Sequence, residues 1–142
     1  MSQDNPTRTN YFRRSVGIVI CFLPVELGVT SLIYGLFHNR ANVFLGYGFL
    51  IVAAVVAVNN FYCAIIRPWL YSLKHKSKEE YRFVSGLPVF GDFFVIAGIV
   101  YGFGAIGTSI LGILITALNL SSLPWFLFAT WRDKSFWDEP RK

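Results

Sequence analysis

The sequence predicts an all-α integral membrane protein, a four-helix bundle of two helical hairpins with both termini cytoplasmic. Three observations predict it. Four apolar stretches, residues 15–37, 43–66, 84–103 and 109–130, occupy most of the 142 residues. Each holds about the 20 residues that cross a hydrocarbon core roughly 30 Å thick. Charged residues are only 15% of the chain and cluster between the stretches, where a soluble domain would scatter about 25%. The basic residues also alternate by side, which sets the orientation.

The charge count runs in chain order. Arg8, Arg13 and Arg14 precede the first stretch, and Arg40 alone follows it. Arg67, Lys74, Lys76, Lys78 and Arg82 separate the second stretch from the third. No basic residue lies between the third and fourth, and Arg132, Lys134, Arg141 and Lys142 close the chain. Twelve of the thirteen Lys and Arg thus fall on one side. That side is expected to be the cytoplasm of a bacterial cell, with the protein multi-pass in the inner (plasma) membrane. The net charge of +5 flanks the spans and is no nucleic-acid footprint. One bundle uses the whole of 1–142 as a single domain and leaves no room for a soluble catalytic module.

The first stretch follows Arg13-Arg14 but holds Pro24 and Glu26 in its middle and lacks a small-x-small cleavage site, so it is expected to be a retained span. Bulky Ile20 before Cys21 argues against lipid attachment there. Within it, Ser31 and Gly35 are spaced for close helix packing. The second stretch carries Asn59 and Asn60. The segment 67–83 reads as a solvated cytoplasmic connector. The third stretch opens with Ser85-Gly86-Leu87-Pro88, a helix start with proline in the first turn. It contains Asp92, then Gly98 and Gly102 as a G-x-x-x-G step. A tight uncharged turn leads to the fourth, with Thr108 and Gly112 continuing the small spacing and Asn119 in mid-span. Pro124 is expected to kink the helix beyond Asn119. The small residues read as helix packing within the bundle or as a partner face. Trp69, Trp125, Trp131 and Trp137 read as anchors at the cytoplasmic interface.

Polar residues inside lipid carry the functional information. Glu26 lies roughly 16 Å from the cytoplasmic end of its helix, Asn119 at a similar depth, and Asn59 and Asn60 at about 10 Å. They are expected to share a polar layer. Asp92 either interacts with the positive end of its own helix or pairs with Glu26 around a proton or cation. Cys21 and Cys63 behave as small apolar residues, and His38 and His75 lie in loops. No metal site, cofactor or catalytic constellation is expected, so the chain is read as a non-enzyme.

Two resemblances bear on function. Ser85-Gly86-Leu87-Pro88-Val89-Phe90-Gly91, with Leu123-Pro124-Trp125-Phe126, resembles a pattern of small bacterial four-span inner-membrane proteins, some of which act as immunity proteins against membrane-targeting toxins. The resemblance implies a membrane-embedded protein partner, or a homo-oligomer, and no catalytic site. Val25-Glu26-Leu27-Gly28-Val29-Thr30 is similar to the acidic first-helix motif of the small multidrug resistance transporters. That similarity implies proton and drug binding at Glu26, as a proton- or cation-coupled transporter or channel subunit. This chain departs from that family in its length, its third-span tryptophan pattern and its strong loop-charge bias.

Overall fold

The computed structural model describes residues 7–8, 10–38, 43–74, 87 and 89–140. They form an all-helical bundle. Helix α1 spans Tyr11–Phe37, α2 spans Phe44–Phe61, a π-helical turn covers Tyr62–Ile66, and α3 covers Arg67–Lys74. Helix α4 is Phe90–Tyr101, α5 is Ile106–Leu118, α6 is Leu123–Thr130 and α7 is Lys134–Trp137. Two-residue strands, β1 at Thr7–Arg8 and β2 at Glu139–Pro140, pair antiparallel.

Three helical segments, Tyr11–Phe37, Phe44–Leu73 and Ile106–Thr130, are long and apolar enough to cross a membrane. Element ends differ from the sequence expectation in four places. Helix α1 begins earlier, at Tyr11, because the Asn10 side chain accepts from the Arg13 backbone N–H at 3.0 Å and caps it. The second helix runs on to Lys74, so the first part of the expected connector is helical; the rest of 67–83 lies outside the described residues. Helix α4 starts only at Phe90 and has 12 residues, about 18 Å of rise, too short to span alone. Most of the expected start at 84–88 lies outside the described residues. The fourth segment is not one kinked helix but two, interrupted at residues 119–122, and Pro124 sits in the first turn of α6. There its missing N–H removes no helical bond.

Buried positions repeat at three- and four-residue intervals, which puts them on one face of each helix. On α1 they are Cys21, Pro24, Gly28, Ser31 and Gly35; on α2 they are Gly46, Leu50, Ala53, Ala57 and Asn60. Helices α2 and α4 run antiparallel in the most extensive contact of the bundle, with α1 against α5 next. Leu50, Ala53, Val95 and Ile99 are fully buried and form the core with Ala57 and Ile115.

Small residues let these backbones approach. A Cβ on Gly98 would lie 2.6 Å from Leu50 Cγ, one on Gly46 2.9 Å from the Gly98 carbonyl, and one on Gly112 2.8 Å from the Ile99 side chain. Gly35 faces the Gly104 carbonyl, and Gly102 faces Thr108. Ser31 accepts from the Gly104 N–H at 2.9 Å, and its hydroxyl and that of Ser109 are joined at 2.8 Å. Ser31, Gly35, Gly98, Gly102, Thr108 and Gly112 are therefore all buried in contacts within the chain. Gly104 closes the α4–α5 turn at φ 84°, a left-handed conformation that favours glycine.

The first and last described segments meet at one end of the bundle. Arg14 donates from Nε and Nη2 to both Asp138 oxygens at 3.0 and 3.1 Å, and its guanidinium stacks 5.0 Å from the Trp131 ring centroid. Trp137 is buried against Cys21 and Leu127, lies over Gly17, and donates from Nε1 to the Thr130 carbonyl at 2.8 Å. It is a core residue and not an interface anchor. Trp69, Trp125 and Trp131 are exposed.

Candidate functional site

The polar side chains converge where the fourth segment breaks. A break inside an apolar bundle strands carbonyls at the end of α5 and N–H groups at the start of α6, and each needs a partner. Ser122 donates its hydroxyl to the Thr116 carbonyl at 3.2 Å, and Trp125 Nε1 donates to the Ala117 carbonyl at 3.1 Å. Asn119 Oδ1 accepts from the Ser121 N–H at 3.3 Å. The Leu123 N–H donates to Asp92 Oδ2 at 2.7 Å. Helix α6 is thus capped by a carboxylate from α4, while the residue at its own cap position bonds backward to α5.

Asn60 ties this junction to α2. Its Oδ1 accepts from the Leu87 N–H at 2.8 Å, and its Nδ2 donates to the Leu87 carbonyl at 3.1 Å and to Asn119 Oδ1 at 2.9 Å. A backbone N–H can only donate, so the Leu87 pair fixes which way the Asn60 amide points. That orientation in turn makes the facing Asn119 atom its oxygen.

After this accounting two buried polar atoms have no partner among the described residues, Asp92 Oδ1 and Asn119 Nδ2. One accepts and the other donates, and both belong to fully buried residues. Gly91 leaves the space that Asn119 fills, since a Cβ there would sit 2.5 Å from Asn119 Nδ2. Val89, just before α4, has φ 68°, a conformation strained for a β-branched side chain. A groove of about 460 Å³ reaches the break from outside, lined by Val89, Ser121, Leu123, Trp125 and Phe126 among others.

No family model matches the chain, and neither the curated proteins nor the solved structures show a significant similarity to it.

Of the expected polar layer, Asn60 and Asn119 come together, joined by Asp92 at the same break, and Glu26 and Asn59 do not. Both absentees are exposed, because each lies off the buried stripe of its helix. The acidic pair of Glu26 and Asp92 does not form: one carboxylate is on the outer surface and the other is in the core. Gly91, Ser122 and the backbones of Leu87 and Leu123 complete the site, none of them expected as a site residue. The signal for Ser122 and Leu123 was the serine two residues before Pro124, a helix-restart pattern, and Leu87 had none. Among the described residues no group of His, Cys, Asp or Glu could hold a metal ion. Chemically, the site can accept a hydrogen bond or a proton at Asp92 Oδ1 and donate one from Asn119.

Proposed function

We propose that this chain is a multi-pass membrane protein that binds another membrane component, with immunity against a membrane-targeting toxin as its specific form. One observation carries the reading. Between α2 and α5 lies a groove of about 370 Å³ lined by Ala54, Ala57, Val58, Phe61, Tyr62, Ile66, Ile115 and Leu118, with almost no polar surface. Val58 and Leu118 on its rim are exposed, and the π-helical turn begins beside it. In lipid such a groove accepts side chains of a neighbouring helix, where association rests on close packing. Cytoplasmic termini are supported by the charge count, and their lying on one side by the Arg14–Asp138 contact.

The test is photocrosslinking in native membranes from a probe at Val58, with Leu118→Trp as the groove-filling variant. Leu118 is exposed, so the substitution leaves the core intact. A single stoichiometric adduct, lost in Leu118→Trp, is expected, and a pore-forming toxin as that adduct carries the immunity form. Equal adducts from Val58 and from the exposed Glu26 position would reject the groove.

A proton- or cation-linked transporter is the second reading, favoured by the open Asp92 oxygen at a broken helix. Interrupted helices with buried polar groups are how transporters bind ions near the bilayer midplane. The acid it relies on is Asp92 in place of Glu26. Proton flux in reconstituted vesicles should then survive Glu26→Gln and vanish in Asp92→Asn; flux unchanged by Asp92→Asn ends this reading.

A further inference from the structure

A third groove, of about 420 Å³, lies between α1 and α6. Ile18, Phe22, Leu127, Phe128 and Trp131 form its wall, and Arg132 stands at one end. Arg132 is exposed and makes no ion pair among the described residues. It follows the end of α6 by two residues, at the end of the bundle where Arg13 and Arg14 begin α1. Arg14 is already neutralised by Asp138, which is itself buried, while exposed Asp133 follows Arg132 without lining the groove. The charge at the mouth of the groove is therefore that of Arg132, with exposed Arg13 on the same end.

We infer that this groove is a binding site for an anionic phospholipid of the surrounding bilayer, one acyl chain lying along the aromatic wall and the headgroup phosphate on Arg132. The complementarity is twofold. The apolar wall takes a chain that already lies in lipid, and a guanidinium pairs two of its N–H groups with a phosphate where a neutral headgroup offers no net charge. Its volume falls within the roughly 300–1,000 Å³ of ordinary ligand pockets. The site is independent of whatever occupies the α2–α5 groove.

Trp131 reports occupancy directly. The full chain is reconstituted in phosphatidylcholine vesicles containing increasing brominated phosphatidylglycerol, and the Trp131 signal is taken as the difference from Trp131→Phe. Quenching that saturates at a low fraction of the anionic lipid is expected, with brominated phosphatidylcholine giving only a gradual, non-saturating loss. Arg132→Gln should move the midpoint to about fivefold more phosphatidylglycerol, the effect of one basic side chain at an anionic surface, and Arg132→Lys should restore most of it. Equal quenching by the two lipids overturns the inference, as does an Arg132→Gln curve identical to the wild type. Displacement by inorganic phosphate would assign Arg132 to a free anion and overturn it too.

Discussion

The carboxylate of Asp92 on α4 caps the backbone N–H of Leu123 on α6, at 2.7 Å and across 31 residues of chain. Asp92→Asn keeps an acceptor for that half-buried N–H, whereas Asp92→Ala removes it. Unfolding in detergent should show Asp92→Ala destabilised by about 1–3 kcal/mol and Asp92→Asn by clearly less. Equal loss in both variants would mean that the cap contributes nothing.

Adjacent asparagines should behave differently. Asn60→Ala deletes the bonds to Leu87 and Asn119 and is expected to destabilise by about 1–3 kcal/mol, while exposed Asn59→Ala stays within about 0.5 kcal/mol. A double-mutant cycle of Asn60 and Asn119 should give a coupling of about 0.5–3 kcal/mol.

Glycines separate in the same way. Gly98→Ala drives a methyl into Leu50 and the Gly46 carbonyl, and should cost about 1–3 kcal/mol. Gly48 has nothing within 4 Å of where its Cβ would be, so Gly48→Ala should stabilise by about 0.4–1 kcal/mol. Thermal unfolding of both variants checks the contrast.

Trp137 covers Cys21. Trp137→Ala should lower stability by about 3–5 kcal/mol and expose the Cys21 thiol to a membrane-permeant maleimide, with Cys63 as the internal reference. Unchanged Cys21 labelling would show that the aromatic cover is not what shields it.

Much of the bundle was legible in the sequence because lipid imposes long apolar runs, and four of them were plain. The junction was harder. Depth along a helix axis places Glu26 level with Asn119, yet the two face opposite ways, and only the rotational position of each residue separates them. The stripe Cys21, Pro24, Gly28, Ser31, Gly35 already excludes Glu26, and Gly46, Leu50, Ala53, Ala57 leads to Asn60 and past Asn59. Ser122 before Pro124 hints at the restart of α6, but the groups that satisfy the break are not legible locally: Asp92 comes from another segment, and Trp125 reaches back to Ala117 only because the helix has stopped. Trp137 was misread for a related reason, since its burial depends on Gly17, more than a hundred residues earlier.

The clasp between chain ends also has a consequence for biogenesis. Arg14 leaves the ribosome 124 residues before Asp138, so at about 5–20 residues per second α1 waits roughly 6–25 s for its cover. During that interval Cys21 and the face around Gly17 are bare. Translation arrested in the fourth segment would leave the first three segments without this lock and with that face uncovered.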